Sequence, residues 1–179
     1  MNIMLFGFKK CGKVYLGMKL AQKLGWEFIE SNHLLAQMYA EQYEEDLEHR
    51  EIEEKHGFEF YCEYEKKVVS HLVQKNHFVV ALGGGVVLNP RNVIRLKETG
   101  PVVYLKASKE LLKQRILSGD IPHYLDANRP AESFDHFYEK RSPLYHQVGG
   151  LEIPIEDYAE DELLQKLVDL VKSPKESVG

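Results

Sequence analysis

The segment GFKKCGK at residues 7–13 decides how this chain folds. It follows a short apolar run at residues 2–6, and such a run is typical of a strand buried on both faces of a parallel sheet. A helical pattern begins at Lys13, with leucines at every fourth position, and ends before Gly25. The order of strand, glycine loop and helix predicts an α/β fold with the loop at one edge of the sheet.

The loop has the spacing G-x4-G-K of a phosphate-binding loop, or P-loop. Glycines let consecutive backbone N–H groups turn toward an anion, the next helix adds a positive dipole, and Lys13 reaches the β and γ phosphates of a nucleotide. Val14 stands where the motif has Ser or Thr, whose hydroxyl is a magnesium ligand. The predicted nucleotide-binding residues of this segment are Gly7, Cys11, Gly12, Lys13, Val14 and Tyr15.

The rest of the chain alternates between strand and helix patterns. Strands are predicted at residues 26–29, 78–82, 101–105 and 151–155, and helices at residues 33–43, 65–74, 90–98, 109–117, 133–145 and 157–172. The Glu-rich segment 41–55 is typical of a solvated helical face, and the segment 119–130 of a long loop that serves as a lid. This alternation predicts a parallel sheet covered by helices on both faces.

Composition and charge narrow the classes of function. A length of 179 residues fits one domain, and a net charge of −5 gives no general attraction for nucleic acid. No apolar run is long enough to span a membrane, no cleavable signal follows Met1, and the two cysteines form no CxxC pair. We therefore expect a cytoplasmic monomer that acts on a small molecule, with no nucleic-acid or membrane partner.

Five motifs in a fixed order make the chain resemble shikimate kinases from residue 2 to about residue 171. They are GFKKCGK at 7–13, LGGGV at 82–86, VVYL at 102–105, LKQR at 112–115 and RSPLY at 141–145. The resemblance implies a three-layer P-loop kinase fold with a five-stranded parallel sheet, a substrate-binding helical subdomain at about 32–64 and a lid at about 118–132. It also implies transfer of the ATP γ-phosphate to the 3-hydroxyl of shikimate, with Mg²⁺, in aromatic amino acid biosynthesis.

The resemblance assigns roles to individual residues. Lys13 becomes the phosphate lysine, and Arg115 lies beside the adenine. Gly83, Gly84 and Gly85 become a backbone floor under the substrate ring, because glycines allow backbone to approach a small polyol. Arg141 becomes the guanidinium that holds the shikimate carboxylate; taken alone, it is equally typical of a helix C-terminal arginine that offsets the dipole.

Several positions depart from the family pattern. Glu30 stands where an aspartate helps to hold Mg²⁺, and Asn32 stands where a second aspartate binds the reacting hydroxyl as a base. Cys62 replaces a second substrate arginine in a motif that otherwise keeps Glu65. Ile121 replaces a lid arginine, for which Arg129 later in the loop is a candidate substitute. The resemblance therefore gives Lys13, Asn32 and Arg129 as catalytic candidates, Glu30 as the metal candidate, and Asn32, Cys62, Gly83, Gly84, Gly85 and Arg141 as the substrate-binding set.

Three functions are compatible with the sequence. The intact loop and RSPLY favour a kinase that phosphorylates shikimate. Val14 and Asn32 favour a nucleotide-binding pseudokinase with impaired catalysis. Cys62 and Asn32 also favour a kinase for a different small hydroxylated acceptor, because the family residues that they replace are those that select shikimate. His33, next to Asn32, is a candidate replacement base or a surface histidine.

Overall fold

One parallel sheet of five short strands forms the centre of the structure, a computed structural model that describes residues 1–172. The strands are β1 (Ile3–Phe6), β2 (Glu27–Glu30), β3 (Phe78–Ala81), β4 (Val102–Lys106) and β5 (Leu151–Pro154). Their order is β2-β3-β1-β4-β5, and every neighbouring pair is parallel. The predicted sheet is confirmed, and each strand begins and ends within one residue of its predicted bounds.

Eight α-helices within residues 1–172 connect and cover the strands. They are α1 (Lys13–Leu24), α2 (Ser31–Tyr43), α3 (His49–His56), α4 (Phe58–Leu72), α5 (Pro90–Thr99), α6 (Lys109–Leu117), α7 (Pro130–Gln147) and α8 (Glu160–Lys172). Among these helices, none is long and apolar enough to cross a membrane. The alternation of strand and helix gives the three-layer arrangement that the sequence predicts.

The central strands are apolar because both of their faces are covered. Every residue of β1 is buried, and Val79 and Val80 of β3 are at most 1% exposed. β1 pairs with β3 so that Leu5 lies opposite Ala81, and the Leu82 amide continues the ladder with a 2.8 Å hydrogen bond to the Leu5 carbonyl. This burial accounts for strand sequences that are continuous apolar runs instead of alternating patterns.

Three neighbouring strands end at the same edge of the sheet. β1 is followed by the loop that starts at Gly7, β3 by Gly83 to Gly85, and β2 by Ser31 and Asn32. In open parallel sheets the crevice beyond the carboxyl ends of the strands is where ligands bind. The fold therefore brings the phosphate loop, the triple glycine and the Asn32 segment to one edge.

Helices α2, α3 and α4 pack together over the region that the sequence assigns to the substrate. Tyr39 of α2 and Ile52 of α3 are fully buried, and the Tyr64 hydroxyl of α4 donates a 3.0 Å hydrogen bond to the Met38 carbonyl. Two predicted bounds are wrong here. α4 begins at Phe58, seven residues before the predicted start, and the Glu-rich segment is broken at Glu44, which has a positive φ of 54°.

The segment between α6 and α7 is a loop, as predicted, and it lies against the protein. Pro122 and Leu125 are buried, and Ile121 packs against the hydrophobic core. α7 starts at Pro130 instead of residue 133, because proline fits the first helical position, where no amide hydrogen bond is needed. The loop is therefore held by apolar contacts near its middle and by α7 at its end.

Candidate active site

The phosphate loop has the shape of an anion site. Gly12 has a φ of 95°, which glycine adopts without strain, and it precedes the first turn of α1. That turn has no acidic residue and no side-chain cap, so its amides are left for an external acceptor. The Lys13 ammonium lies 3.4 Å from the Gly7 carbonyl oxygen, folded back over the loop. Gly7, Gly12 and Lys13 are thus brought together as predicted.

The remaining loop residues hold its shape. Cys11 is buried, and its amide donates a 3.1 Å hydrogen bond to the Phe8 carbonyl. A Cβ on Gly7 would lie 2.7 Å from the Leu105 carbonyl oxygen, so β4 closes against the loop there. Arg115 of α6 donates a 2.9 Å hydrogen bond to the Lys10 carbonyl, which places its guanidinium at the outer rim of the loop.

Few side chains at the predicted metal site could bind a metal ion. Val14 and Glu30 are both half-buried, and Val14 has no oxygen to offer. Within residues 1–172 no cluster of three His, Cys, Asp or Glu side chains could hold a metal ion. The Tyr15 side chain is 53% exposed and donates a 2.9 Å hydrogen bond to Glu160 of α8, so the side chain is directed to α8. The residues present fit a polyphosphate better than they fit a bare cation.

The triple glycine forms a tight floor. The Gly83 amide donates a 2.8 Å hydrogen bond to the hydroxyl of Ser31, and the Asn32 amide oxygen fills the space that a Cβ on Gly83 would need. The hydroxyl of Tyr145 lies 2.5 Å from the position of a Cβ on Gly84. Because side chains already occupy these spaces, larger residues are excluded, and the backbone itself faces the crevice.

Arg141 lies against this floor. Its guanidinium donates a 3.2 Å hydrogen bond to the Gly84 carbonyl and stacks 5.1 Å from the ring centre of Phe137. Arg141 is six residues before the end of α7, so its guanidinium serves the glycine floor and not the helix C-terminus. Tyr145 donates a 3.2 Å hydrogen bond to the same carbonyl, and together the two side chains fix α7 over the sheet edge.

Glu65 is a buried carboxyl beside the floor, and its residue is 6% exposed. Its Oε1 lies 3.0 Å from the position of a Cβ on Gly85. Burial, and then the neighbouring Glu53, raise the pKa of Glu65 to about 7, while Arg141 acts in the opposite direction. Burial and these two carboxyls also raise the pKa of the half-buried Cys62, which keeps its thiol neutral.

The predicted lid at residues 118–132 contacts Arg141 through aromatic rings. Tyr124 stacks on Phe137 with ring centres 4.5 Å apart, and burial raises the Tyr124 pKa to about 12 even though Arg141 and Arg50 lower it. Arg129 lies elsewhere. Its guanidinium is 70% exposed and pairs with Asp126 at 3.7 Å and Glu132 at 3.6 Å at the start of α7, so its role as a substitute lid arginine stays a prediction.

Cationic and imidazole side chains of the phosphate loop, the predicted lid and α3 influence one another's pKa. Burial and the charge of Arg50 both lower the pKa of Lys9 in the phosphate loop and of His123 in the lid. The same two causes lower the pKa of His49 to about 4, and the His49 ring lies 3.1 Å from the hydroxyl of Tyr61. The charge of Arg50 on α3 therefore acts on side chains of both the phosphate loop and the predicted lid.

Sequence reasoning missed Arg50, Glu53 and Glu65 as site residues. Arg50 and Glu53 fall in the Glu-rich segment that is typical of a solvated face. One signal was present: positions 49, 50 and 53 lie on one face of a helix by their spacing. Glu65 could have been singled out as the one acid among the apolar residues of its helical pattern.

Comparisons with known proteins agree with this geometry. The family model described as shikimate kinase matches residues 9–172. The shikimate kinase of Caldanaerobacter subterraneus is 31% identical over 167 residues, which cover 93% of this chain and 94% of that relative. The shikimate kinase of Thermoanaerobacter pseudethanolicus is 29% identical over the same length, with the same coverage.

Solved structures give the same result. Shikimate kinase from Acinetobacter baumannii in complex with shikimate superposes with a TM-score of 0.81 and 31% identity, covering 98% of this chain and 95% of that one. Shikimate kinase from Bacteroides thetaiotaomicron has a TM-score of 0.78 at 24% identity, covering 97% and 99% of the two chains, which bears on the fold alone. Since the family model spans nearly the whole chain and relatives match it over nearly their full length, the chain belongs to the shikimate kinase family.

Proposed function

We propose that the protein is an ATP-dependent phosphotransferase that moves the γ-phosphoryl group of ATP to a hydroxyl of shikimate, as a cytoplasmic monomer. The observation that carries the proposal is Arg141 held 3.2 Å from the Gly84 carbonyl, at the same sheet edge as the phosphate loop. A planar guanidinium suits a carboxylate, and the glycine floor suits a small ring. Family membership, and a relative described in complex with shikimate, support the acceptor.

Different residues would bind the nucleotide and the acceptor, at opposite ends of the crevice. At the nucleotide end, the free amides of the first turn of α1 and the Lys13 ammonium would hold the β and γ phosphates and spread their charge. When bound, ATP with Mg²⁺ would supply the phosphoryl group and an electrophilic centre. Glu30 is the side chain that would reach the metal, directly or through water, because Val14 offers no ligand.

At the acceptor end, Arg141 would hold the carboxylate and the glycine floor would orient the ring. Cys62 contributes no charge, so Arg141 acts there without the second arginine that the family pattern contains. Phosphoryl transfer depends mostly on positioning and electrostatics, so one intact arginine and one intact loop are enough for turnover at a reduced rate. We propose that Asn32 contributes by binding a hydroxyl through its amide oxygen.

A coupled assay of ADP release with shikimate, ATP and Mg²⁺ tests this function. We expect turnover that requires shikimate, and an Arg141→Ala variant whose KM for shikimate rises about 10- to 100-fold, because a charged hydrogen bond is lost. Arg91→Ala, an exposed arginine on α5, is the matched control and should leave KM unchanged. ATP binding by calorimetry without ADP release would instead indicate a pseudokinase, and release only with another polyol acid would indicate a different acceptor.

A further inference from the structure

Phe137 of α7 contacts three segments to which the proposed function gives a role. Its ring packs on that of Tyr124 in the predicted lid, with ring centres 4.5 Å apart and planes tilted by 30°. The guanidinium carbon of Arg141 lies 5.1 Å from the centre of the Phe137 ring. Phe8 of the phosphate loop meets the same ring edge-on, with centres 6.0 Å apart. One side chain therefore connects the predicted lid, the acceptor arginine and the phosphate loop.

Phe8 gives Phe137 a rigid base. Phe8 is 2% exposed, and its ring stacks on that of Tyr138 with centres 4.9 Å apart. It also meets the Tyr145 ring edge-on, with centres 4.9 Å apart, and the Tyr145 hydroxyl is hydrogen-bonded to the Gly84 carbonyl. Because close-packed rings have few alternative positions, Phe8 restricts where the Phe137 ring lies.

The Arg141 guanidinium rests against two rings of its own helix. Phe137 is four residues before Arg141 and Tyr145 is four residues after it, so the three side chains share one face of α7. The guanidinium carbon is 5.1 Å from the first ring centre and 5.9 Å from the second. Its hydrogen bond goes to the Gly84 carbonyl, which is a neutral group. The two rings therefore help to set the direction of the guanidinium, and its charge is left for a carboxylate.

The contact between Tyr124 and Phe137 lies at the protein surface. The neighbours of Tyr124 anchor the loop, since Pro122 and Leu125 are buried. Tyr124 itself is 39% exposed and Phe137 is half-buried. A stack this exposed buries little apolar area, so core packing does not account for it. The pair is suited to connect the predicted lid with the helix that carries Arg141.

We propose that Phe137 is a positioning residue of the transfer: through its stack with Tyr124, the closed lid holds the Arg141 guanidinium in place for the acceptor carboxylate. The inference rests on the proposed function and deepens it, because it names how the acceptor end of the crevice is assembled. A carboxylate on Arg141 fixes the guanidinium and the ring beside it, and that ring favours the stacked position of the lid. By linkage, the closed lid strengthens acceptor binding by the same factor.

Kinetics of Tyr124 variants test the inference in a coupled assay of ADP release. Tyr124→Leu removes the ring from an exposed position, and the KM for shikimate should rise about three- to tenfold, the factor expected for one aromatic pair. The kcat and the KM for ATP should be retained, because the stack contributes to acceptor binding and touches no reacting atom. Tyr124→Phe keeps the ring and should keep the wild-type KM for shikimate.

Tyr158→Leu is the matched control. It removes a ring that lies 4.6 Å from the Lys166 ammonium, in the segment between β5 and α8. The variant thus loses a comparable contact between a cation and a ring, away from the predicted lid. Its KM for shikimate should equal that of the wild type.

A double variant tests whether Tyr124 acts through Phe137. Phe137→Leu should raise the KM for shikimate about tenfold or more, because both the stack and the contact with the guanidinium are lost. Tyr124→Leu in the Phe137→Leu background should raise it no further, since the ring through which the tyrosine acts is already absent. Two independent packing contacts would instead give effects that multiply.

Hydrogen exchange of the lid amides separates positioning from general stability. With shikimate at saturation for each variant and no ATP, exchange across residues 118–132 should slow in the wild type and in Tyr124→Phe. Tyr124→Leu and Phe137→Leu should lose this slowing, and Tyr158→Leu should keep it. A merely structural role would instead speed exchange to the same extent with and without shikimate.

The outcomes separate the two claims. A wild type that releases no ADP with shikimate contradicts the proposed function. An active wild type whose KM for shikimate is unchanged in Tyr124→Leu overturns the role of the stack alone, and so do multiplying effects in the double variant or an equal effect of Tyr158→Leu. If Phe137→Leu does not fold, the exposed Tyr124 variants and their hydrogen exchange still decide the question.

Discussion

The ammonium of Lys13 lies 3.4 Å from the carbonyl oxygen of Gly7, at the opposite end of the phosphate loop. The lysine thus spans the loop without making an ion pair with it, and its charge is left for a phosphate.

Replacing Lys13 with methionine should remove this charge while keeping the length of the side chain. We expect kcat/KM for ATP to fall at least about 100-fold, since one preorganised charge is lost at the transferred group. The free energy of unfolding should change by less than about 0.5 kcal/mol, because Lys13 is half-exposed and forms a single weak contact. Lys23→Met, on the exposed last turn of α1, is the control, and equal losses in the two variants would contradict the assignment.

Val14→Ser should restore an oxygen ligand for Mg²⁺. We expect the affinity for ATP in the presence of Mg²⁺ to rise about fivefold, the equivalent of roughly 1 kcal/mol, with no change in its absence. Calorimetry with and without the metal measures the difference. Val14→Ala removes the branched side chain without adding an oxygen, so an equal gain in that variant would show that space and not ligation is responsible.

Stability should depend on pH through Glu65. Its pKa is about 7 in the folded protein against an ordinary 4.5, so between these values the folded state keeps a proton that the unfolded chain has released. The free energy of unfolding should therefore fall as pH rises from about 4.5 to above 7, by at most about 3 kcal/mol. Glu65→Gln should lose this part of the pH dependence, and denaturant unfolding at pH 5 and pH 8 would measure it.

Glu63→Gln is the control for that measurement, because its carboxyl is exposed and its loss should leave the slope unchanged. A Glu65→Gln variant that is less stable than the wild type at pH 8 would contradict the raised pKa. The comparison uses differences between variants, which cancel the contributions of the other carboxyls.

Arg50→Ala should raise the pKa of His49. Burial is the first cause of the low value of about 4 and Arg50 the second, so the pKa should move partway toward its ordinary 6.5. NMR titration of the imidazole signals measures the shift, with Arg91→Ala as the control. An unchanged His49 pKa would contradict the contribution of the Arg50 charge.

The sheet and the phosphate loop were predictable because their causes are local. Apolar strands and the glycine spacing are visible in the chain itself, and Leu16 and Leu20 alone predict the buried side of α1. The start of α4 was not predictable in this way, because Phe58 is 70% exposed and its turn continues no apolar pattern. The structure sets that start through Gly57, whose φ is 86°.

The parts of the candidate site that escaped prediction depend on distant neighbours. The raised pKa of Glu65 comes from burial by other helices and from Glu53, which lies on α3. Arg50 is one of several charges in a Glu-rich segment, and only the packing of α3 beside Tyr61 orients that turn. No pattern within a single segment contains this information.

Different helices and strands form the nucleotide end and the acceptor end of the crevice. The phosphate loop lies between β1 and α1, whereas the side chains around the acceptor come from α2, α3, α4 and α7, and its floor from the glycines after β3. Substitutions on those helices would therefore alter which molecule is phosphorylated while nucleotide binding stays intact. Cys62 and Glu53 lie on the acceptor side, so changes at a few positions there would alter the acceptor without altering the phosphate loop.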